Sequence, residues 1–320
     1  MSMGINNILV VCPQFYDYQK LIKDELEQRY DKVYVFSEYP LGSPTRYFAV
    51  AKIPGLSKLL WRLYVRRIVN LCNAVKFDKI LIIRGRLLPE RLIAFLSRLQ
   101  CEIIHYQWDS VSNNPNALII SKYASRNFTF DMKDVQMHSE FQYLPLFYCW
   151  NGIGNNTNHS KASGVLYLGS WSYERLRLIK EVSSNCTQYG IDINIHLMMS
   201  IGEFIERWTK ISKDLYQYIR FKTVKRDEYY RMMKECIAVF DAPNKRQVGS
   251  SMRTIEALSL GKKVITTNMH VVNEAFFNES NFLLWPSQKD SLKDFINTPF
   301  ITDSSNKVYS LKQWLNQMGL

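Results

Sequence analysis

Short runs of consecutive apolar residues recur through the first half of the chain, separated by segments with helical spacing. Strand-like runs occupy residues 7–12, 32–36, 79–84 and 102–108, and helix-like segments occupy residues 18–29, 56–74 and 89–99. Apolar runs without alternation indicate strands that are buried on both faces. The first half is therefore expected to form a βαβ series, with a parallel sheet covered by helices.

The second half repeats this pattern after a polar stretch rich in Gly, Asn and Ser. Strands are expected at residues 165–170, 193–199, 218–224, 237–242, 262–268 and 281–285, and helices at residues 173–184, 227–236 and 311–318. The pattern predicts an α/β protein with two Rossmann-like, doubly wound parallel-sheet domains. The expected boundaries are a first domain over 1–150, a linker over 151–163, a second domain over 164–305 and a C-terminal helix over 306–320.

The composition is that of a globular protein, with 47% hydrophobic and 22% charged residues among 320. No apolar run approaches the roughly 20 residues that cross a bilayer, and the N-terminus lacks the pattern of a secretory signal. We expect a cytoplasmic protein. The six cysteines are scattered without a CxxC pair, which indicates reduced thiols rather than a zinc or redox centre.

The net charge of +12 implies an anionic partner: nucleic acid, an acidic membrane surface or a phosphorylated substrate. The segment Leu59–Cys72 mixes aromatic residues with arginines on a helical stretch, which suits the cytoplasmic face of an anionic inner membrane and peripheral attachment to it. An ordinary amphipathic helix with solvated arginines explains this segment equally well. Nucleic-acid binding has only the charge in its favour, because no helix-turn-helix, zinc motif or RNP-like strand is present.

Residues 237–268 carry the most specific pattern, which reads as strand, polar loop, helix, Gly turn and strand. Gly249, Ser250 and Ser251 lie directly before the helix, so that free backbone N–H groups and the positive end of the helix dipole suit a phosphate. Arg253 and Glu256 share one helical face, where a guanidinium can bind an anion and a carboxylate can bind a ribose diol. Together these residues predict a nucleotide site.

Each of these residues has a plainer interpretation. Arg253 can be a surface arginine paired with Glu256 or Glu274, and Glu256 can be a solvated carboxylate. The dinucleotide fingerprint GxGxxG is missing after the first strand of either half, which argues against NAD or FAD, and the P-loop pattern is missing as well.

The segment 241–268 resembles the donor-site segment of bacterial GT-B glycosyltransferases that build lipopolysaccharide, capsule or exopolysaccharide. The resemblance implies two domains that face each other across a cleft, a nucleotide-sugar co-substrate such as a UDP-sugar, no metal or other cofactor, and ribose binding by Glu256. Residues 128–135 and 143–148 also resemble a segment of related polysaccharide transferases, but this match is less specific than that of residues 241–268. Many retaining members have a second Glu eight positions earlier, where this chain has Val248, so the resemblance leaves the stereochemistry open.

Further candidates follow from the ends of predicted strands, where open α/β sheets bind ligands. The donor-binding set is completed by Gln247, Thr254, Gly169 and Ser170. Gly169 and Ser170 are expected to form a turn that opens the first helix of the second domain toward the same site. Arg84 and Arg86 can bind an anionic acceptor or can be a solvated loop. Asp109 and Asp17 are candidate bases, although an Asp in such a loop more often caps a helix or turn. Asp131 and Asp134 have a spacing that is weak evidence for a divalent cation.

The predicted function is transfer of a sugar from a nucleotide-sugar to a growing surface glycan, with a lipid-linked acceptor at the inner leaflet. The alternative from another class is a non-catalytic protein that binds a nucleotide-sugar or scaffolds polysaccharide assembly.

Overall fold

A computed structural model of the chain describes residues 6–14, 17–150, 162–209, 211–302 and 308–320. The strands are β1 (Asn7–Cys12), β2 (Lys32–Ser37), β3 (Lys79–Ile83), β4 (Glu102–Gln107), β5 (Arg126–Thr129), β6 (Phe141–Tyr143), β7 (Phe147–Tyr148), β8 (Val165–Ser170), β9 (Ile193–Met198), β10 (Ile219–Arg220), β11 (Ala238–Asp241), β12 (Lys263–Thr266), β13 (Phe282–Leu284) and β14 (Tyr309–Ser310). The α-helices are α1 (Tyr18–Leu26), α2 (Pro44–Ala51), α3 (Leu56–Ala74), α4 (Glu90–Leu96), α5 (Ala117–Ser121), α6 (Met132–Met137), α7 (Tyr173–Gln188), α8 (Ile201–Arg207), α9 (Arg226–Glu235), α10 (Met252–Ser259), α11 (Leu292–Asn297) and α12 (Leu311–Gln317).

The chain divides into two units, each built on one parallel sheet. Unit 1 comprises Met1–Cys149, Arg246–Gly249 and Tyr309–Leu320, and unit 2 comprises Trp150–Lys245 and Ser250–Val308. The expected linker over 151–163 lies almost entirely outside the described residues.

Unit 1 has six strands in the order β2-β1-β3-β4-β5-β6, and every adjacent pair is parallel. All six residues of β1 are buried, as its unbroken apolar run predicts. Helix α3 covers the sheet with Tyr64, Ile68 and Cys72, which recur every fourth residue along one face.

The C-terminal helix α12 is part of this unit. Trp314 is completely buried, and its ring centroid lies 4.5 Å from that of Tyr106 and 4.3 Å from that of Phe147. Lys79 Nζ donates to the Gly319 carbonyl at 2.6 Å, and Arg126 donates to the Met318 carbonyl. These cations satisfy carbonyls that a helix C-terminus leaves without intrahelical partners.

Unit 2 has six parallel strands in the order β10-β9-β8-β11-β12-β13. Relative to its first strand, this is the 3-2-1-4-5-6 order of a dinucleotide-binding Rossmann domain. Alternate residues of its strands, including Tyr167 and Phe240, pack on one face of the sheet with Val182 of α7 and Leu292 of α11 and form a buried core.

The two parallel doubly wound sheets confirm the expected fold class. The strand predicted over residues 218–224 was wrong in extent, because β10 covers only Ile219 and Arg220 and the side chain of Phe221 is exposed. Strands β5 and β6 were not predicted. All six cysteines are free thiols, and no helix among the described residues is long and apolar enough to cross a membrane.

Candidate functional site

The polar residues of unit 2 collect where β8 and β11 end. These two strands are neighbours in the sheet, and the chain proceeds from β8 to β9 on one side and returns to β11 on the other. In open α/β sheets, ligands bind beyond the carboxyl ends of the strands at such a reversal of strand order. The topology therefore marks the ends of β8 and β11 as the candidate site.

Asp241, the last residue of β11, connects this strand to the start of α10. Its buried carboxylate accepts hydrogen bonds from Ser251 Oγ at 2.8 Å and from Thr254 Oγ1 at 2.8 Å, and it forms an ion pair with Arg253. One carboxylate thus fixes three side chains from the N-cap and first turn of the helix. Asp241 was not predicted as a site residue, although an Asp that ends an apolar strand is a visible signal.

Arg253 lies over the end of β8. Its guanidinium carbon is 5.8 Å from the ring centroid of Tyr167, and a Cβ added to Gly169 would lie 3.4 Å from Arg253 Nη2 and 2.6 Å from the Tyr167 hydroxyl. A methyl group at position 169 would therefore collide with the Tyr167 hydroxyl and touch Arg253, and glycine avoids this collision. Arg253 pairs with Asp241, a partner that the sequence analysis did not name.

Gly169 and Ser170 lie on β8 and do not form the turn that was predicted to open the next helix. That helix, α7, is capped by Ser172, whose Oγ accepts from Arg175 N at 3.2 Å. Arg175 was missed. Its guanidinium donates to the Ser170 carbonyl at 3.1 Å and to the Ala242 carbonyl at 3.2 Å, so that it joins the ends of β8 and β11.

Glu256 is buried inside unit 2, which differs from the alternative of a solvated carboxylate. It follows Arg253 by three residues, about one turn, on α10, and it is hydrogen-bonded to the Tyr229 hydroxyl of α9. Burial and the neighbouring Glu256 carboxylate raise the pKa of Tyr229 well above its ordinary value, so the phenol stays protonated and donates. Tyr229 was assigned no chemistry from the sequence.

Two buried hydroxyl groups at this site have no hydrogen-bond partner among the described residues. They are the Tyr167 hydroxyl and Ser250 Oγ, and both residues are more than nine-tenths buried. Buried polar groups in proteins are nearly always satisfied. Their position beside Arg253 and the N-terminus of α10 is that expected of groups that bond to a ligand.

The segment Arg246–Gly249 belongs to unit 1, although the residues before and after it belong to unit 2. Val248 N donates to Asp131 Oδ2 at 2.9 Å, and Gln247 Nε2 donates to the Gly249 carbonyl at 2.8 Å. A Cβ on Gly249 would lie 2.3 Å from the Phe130 carbonyl oxygen. The glycine therefore serves close packing here.

The Asp131 and Asp134 carboxylates accept hydrogen bonds from backbone N–H groups. Asp131 caps α6 by accepting from Lys133 N at 3.0 Å, and Asp134 accepts from Val111 N at 2.9 Å. Burial raises the pKa of Asp134 to about 6. Within the described ranges, no cluster of three or more His, Cys, Asp or Glu side chains is arranged to hold a metal ion.

Unit 1 has its own polar group at the ends of β2, β3 and β4. Arg84 follows β3 in a left-handed conformation (φ 66°), and its guanidinium pairs with the fully buried Glu38 and lies 3.5 Å from Asp109 Oδ2. Asn114 Nδ2 bonds to the Arg84 carbonyl at 2.9 Å and thereby supports this turn. Glu38 was missed, although it also follows a predicted strand.

The other unit 1 candidates lie around this group. Arg86 is exposed, and its backbone N–H donates to Glu38 Oε2 at 3.0 Å. Asp109 is partly exposed. Asp17 occupies the N-cap position of α1 without a side-chain capping hydrogen bond.

No protein-family model and no curated protein sequence matches the chain. Solved structures do match over nearly its whole length. UDP-GlcNAc 2-epimerase of Methanocaldococcus jannaschii, solved with UDP-GlcNAc and UDP, aligns with 98% of this chain and 99% of its own at 13% identity and a TM-score of 0.59. The Rickettsia bellii UDP-N-acetylglucosamine 2-epimerase aligns with 99% of this chain and 94% of its own at 11% identity and a TM-score of 0.56.

MurG of Acinetobacter baumannii aligns with 98% of this chain and 98% of its own, at 10% identity and a TM-score of 0.53. These proteins have the GT-B fold, and the chain shares it. At such low identity the likeness concerns the fold alone.

Proposed function

We propose that the chain is a glycosyltransferase that takes a sugar from a nucleotide-sugar, specifically a UDP-sugar, and transfers it to a growing cell-surface glycan. The observation that carries the proposal is the polar end of β8 and β11, where Asp241 fixes the start of α10 and two buried hydroxyls lack partners. The two epimerases named above are UDP-GlcNAc enzymes, which supports a nucleotide-sugar as ligand.

The donor diphosphate is proposed to lie against the N-terminus of α10. Backbone N–H groups at Ser250 and Ser251 and the positive end of the helix dipole stabilise its charge, and Arg253 adds a guanidinium held in place by Asp241. The same charges stabilise the departing nucleoside diphosphate when the glycosidic bond breaks. Gly169 keeps the end of β8 open, and Gln247 remains a candidate for an amide contact.

Glu256 is proposed to accept hydrogen bonds from the ribose hydroxyls. A buried carboxylate makes stronger hydrogen bonds than an exposed one, because water does not compete for its oxygens. The acceptor is proposed to be a lipid-linked glycan that uses Arg84 and Arg86 of unit 1, and Asp109, with Asp17 as second choice, is the proposed base.

The role of Glu256 can be tested with two ligands that differ by one hydroxyl, UDP and 2′-deoxy-UDP. The wild-type chain is expected to bind UDP about tenfold or more tightly, since a hydrogen bond to a charged group contributes about 1.5–3 kcal/mol. Glu256→Gln keeps the shape and one acceptor for Tyr229, and it is expected to bind both ligands nearly equally. Titration calorimetry with each ligand gives the two ratios.

Glu181→Gln, on an exposed position of α7, is the matched control and should keep the wild-type ratio. A ratio that is unchanged in Glu256→Gln removes this residue from the ribose site. Failure of the folded wild-type chain to bind any of UDP, GDP, CDP or dTDP contradicts the donor site as a whole.

Turnover distinguishes the remaining functions. Transfer predicts release of free nucleoside diphosphate from the matching nucleotide-sugar, increased by a lipid-linked acceptor. Saturable binding without any release supports the non-catalytic alternative. Conversion of UDP-GlcNAc to its C2 epimer without an acceptor supports an epimerase, the activity named for the first structures aligned above.

A further inference from the structure

Helices α2 and α3 of unit 1 present large apolar side chains to solvent. Phe48 on α2, Ile53 in the connecting turn, and Leu59 and Leu63 on α3 are 52%, 55%, 49% and 53% exposed. The two helices pack against each other through an aromatic cluster in which Trp61 Nε1 donates to the Tyr47 hydroxyl at 3.0 Å. The apolar side chains therefore project from an ordered base.

The exposed face of α3 carries two adjacent stripes. Leu59 and Leu63 are four residues apart and share one stripe, and Lys58, Arg62 and Arg66 form the next, all with exposed side chains. The buried stripe of Tyr64, Ile68 and Cys72 lies on the other side, because Ile68 is nine residues from Leu59, or half a turn around the helix at about 100° per residue. Packing of α3 onto the sheet thus leaves the mixed face in water.

The charge on this surface has a single sign. Residues 41–77 contain no Asp or Glu and seven basic residues: Arg46, Lys52, Lys58, Arg62, Arg66, Arg67 and Lys76. This short segment supplies more than half of the net charge of +12. All seven are exposed, and the guanidinium of Arg67 lies 5.3 Å from the ring centroid of Phe36.

We propose that this α2–α3 surface, defined by Phe48, Ile53, Leu59 and Leu63 with the surrounding Arg and Lys residues, docks onto the headgroup region of an anionic lipid bilayer. The basic side chains attract lipid phosphates, and their aliphatic stems lie along the apolar residues. The four apolar side chains enter the interface between headgroups and acyl chains. A nucleic acid would bind the cations but would not bury the exposed leucines. The observations therefore favour a membrane.

None of these residues belongs to the donor site, so the proposal holds or fails independently of the proposed function. In this proposal the chain lies on one face of the bilayer and is attached to it through the α2–α3 surface.

The test is co-sedimentation of the full chain with vesicles. The wild-type chain is expected to sediment with equal parts phosphatidylcholine and phosphatidylglycerol, to bind phosphatidylcholine alone at least tenfold more weakly, and to be released by salt. The double variant Leu59→Ser/Leu63→Ser and the double variant Arg62→Glu/Arg66→Glu are each expected to lose at least tenfold in binding to the anionic vesicles. All four positions are exposed, so the circular dichroism spectrum should be unchanged.

Matched controls come from unit 2. Ile201→Ser/Ile205→Ser removes two apolar residues from α8 that are more exposed than Leu59 and Leu63, on a helix that also carries Glu203 and Glu206. Lys222→Glu/Lys293→Glu makes the same change in net charge as the double arginine variant. Both controls should bind as the wild type does. The proposal is overturned if anionic vesicles do not bind, if the controls lose as much as the α3 variants, or if only an oligonucleotide binds and the leucine variant binds it fully.

Discussion

At the scale of single residues, the candidate site of unit 2 depends on Asp241. This carboxylate lies in the protein interior and joins the end of β11 to Ser251, Arg253 and Thr254. A buried charge of this kind is tolerated because it is paired and hydrogen-bonded at the same time. The carboxylate thereby fixes the first turn of α10 against the end of β11. The proposed diphosphate contacts lie at this turn.

Asp241→Ala is expected to lower the free energy of unfolding by about 3–5 kcal/mol, because it leaves the Arg253 guanidinium and two hydroxyls without their acceptor. Urea denaturation followed by circular dichroism measures the change. Asp227→Ala is the control, since this exposed residue of α9 should shift stability by no more than about 0.5 kcal/mol. A similar small change for both variants would contradict the structural role of Asp241.

The pattern of apolar residues was sufficient to predict the longer elements, such as β1, α3 and β8. These elements form because their own apolar side chains are buried, and this pattern is visible in the local sequence. Strand β5 begins with Arg126 and Asn127, which look like loop residues in the sequence. Their side chains find polar partners on the neighbouring strand β4. Glu102 Oε1 accepts a hydrogen bond from Arg126 at 2.8 Å, and His105 Nδ1 lies 3.2 Å from Asn127 Oδ1. These partners are more than twenty residues away, so no local pattern reveals them.

The same limit applies to the site. Ser251, Thr254 and Arg253 were recognisable because they stand at the start of a helix that follows a buried strand. Tyr167 and Tyr229 could not be recognised as site residues from the sequence. Tyr167 lies in an apolar strand and Tyr229 in a helix, at positions where an aromatic residue normally belongs to the core. Their proximity to Arg253 and Glu256 exists only once the strands and helices are packed.

At the scale of elements, two glycines that look alike in sequence should respond oppositely to alanine. Gly249→Ala is expected to destabilise the chain by about 1–3 kcal/mol, because the new methyl group meets the Phe130 carbonyl and Phe130 ring, and the backbone must shift. Gly202→Ala should stabilise it by about 0.5–1 kcal/mol, since Gly202 lies within α8 with no atom near its Cβ position. Chemical denaturation of both variants gives the sign of each change. A Gly249→Ala variant that is as stable as the wild type or more stable would contradict the packing described for Gly249.

At the scale of the whole molecule, unit 1 is assembled from both ends of the chain. Its sheet comes from residues before Cys149, yet Trp314, in the last helix, is fully buried between Tyr106 and Phe147. The free energy gained by this ring is available only when the C-terminal segment is present and docked. Unit 1 therefore depends on residues that the chain reaches only after all of unit 2.

Trp314→Ala is expected to cost about 3–5 kcal/mol, as do other truncations of large buried aromatic residues. The loss should be local, because the contacts of Trp314 are with residues of unit 1. Hydrogen exchange measured by mass spectrometry should show faster exchange in peptides from β4, β7 and α1, with unchanged exchange in β8, β9 and β11. Trp208→Ala, which truncates an exposed tryptophan of unit 2, should leave both sets unchanged. Faster exchange throughout both units in Trp314→Ala would instead mean that the two units unfold as one cooperative body, and the stability of the donor site would then depend on the C-terminal helix.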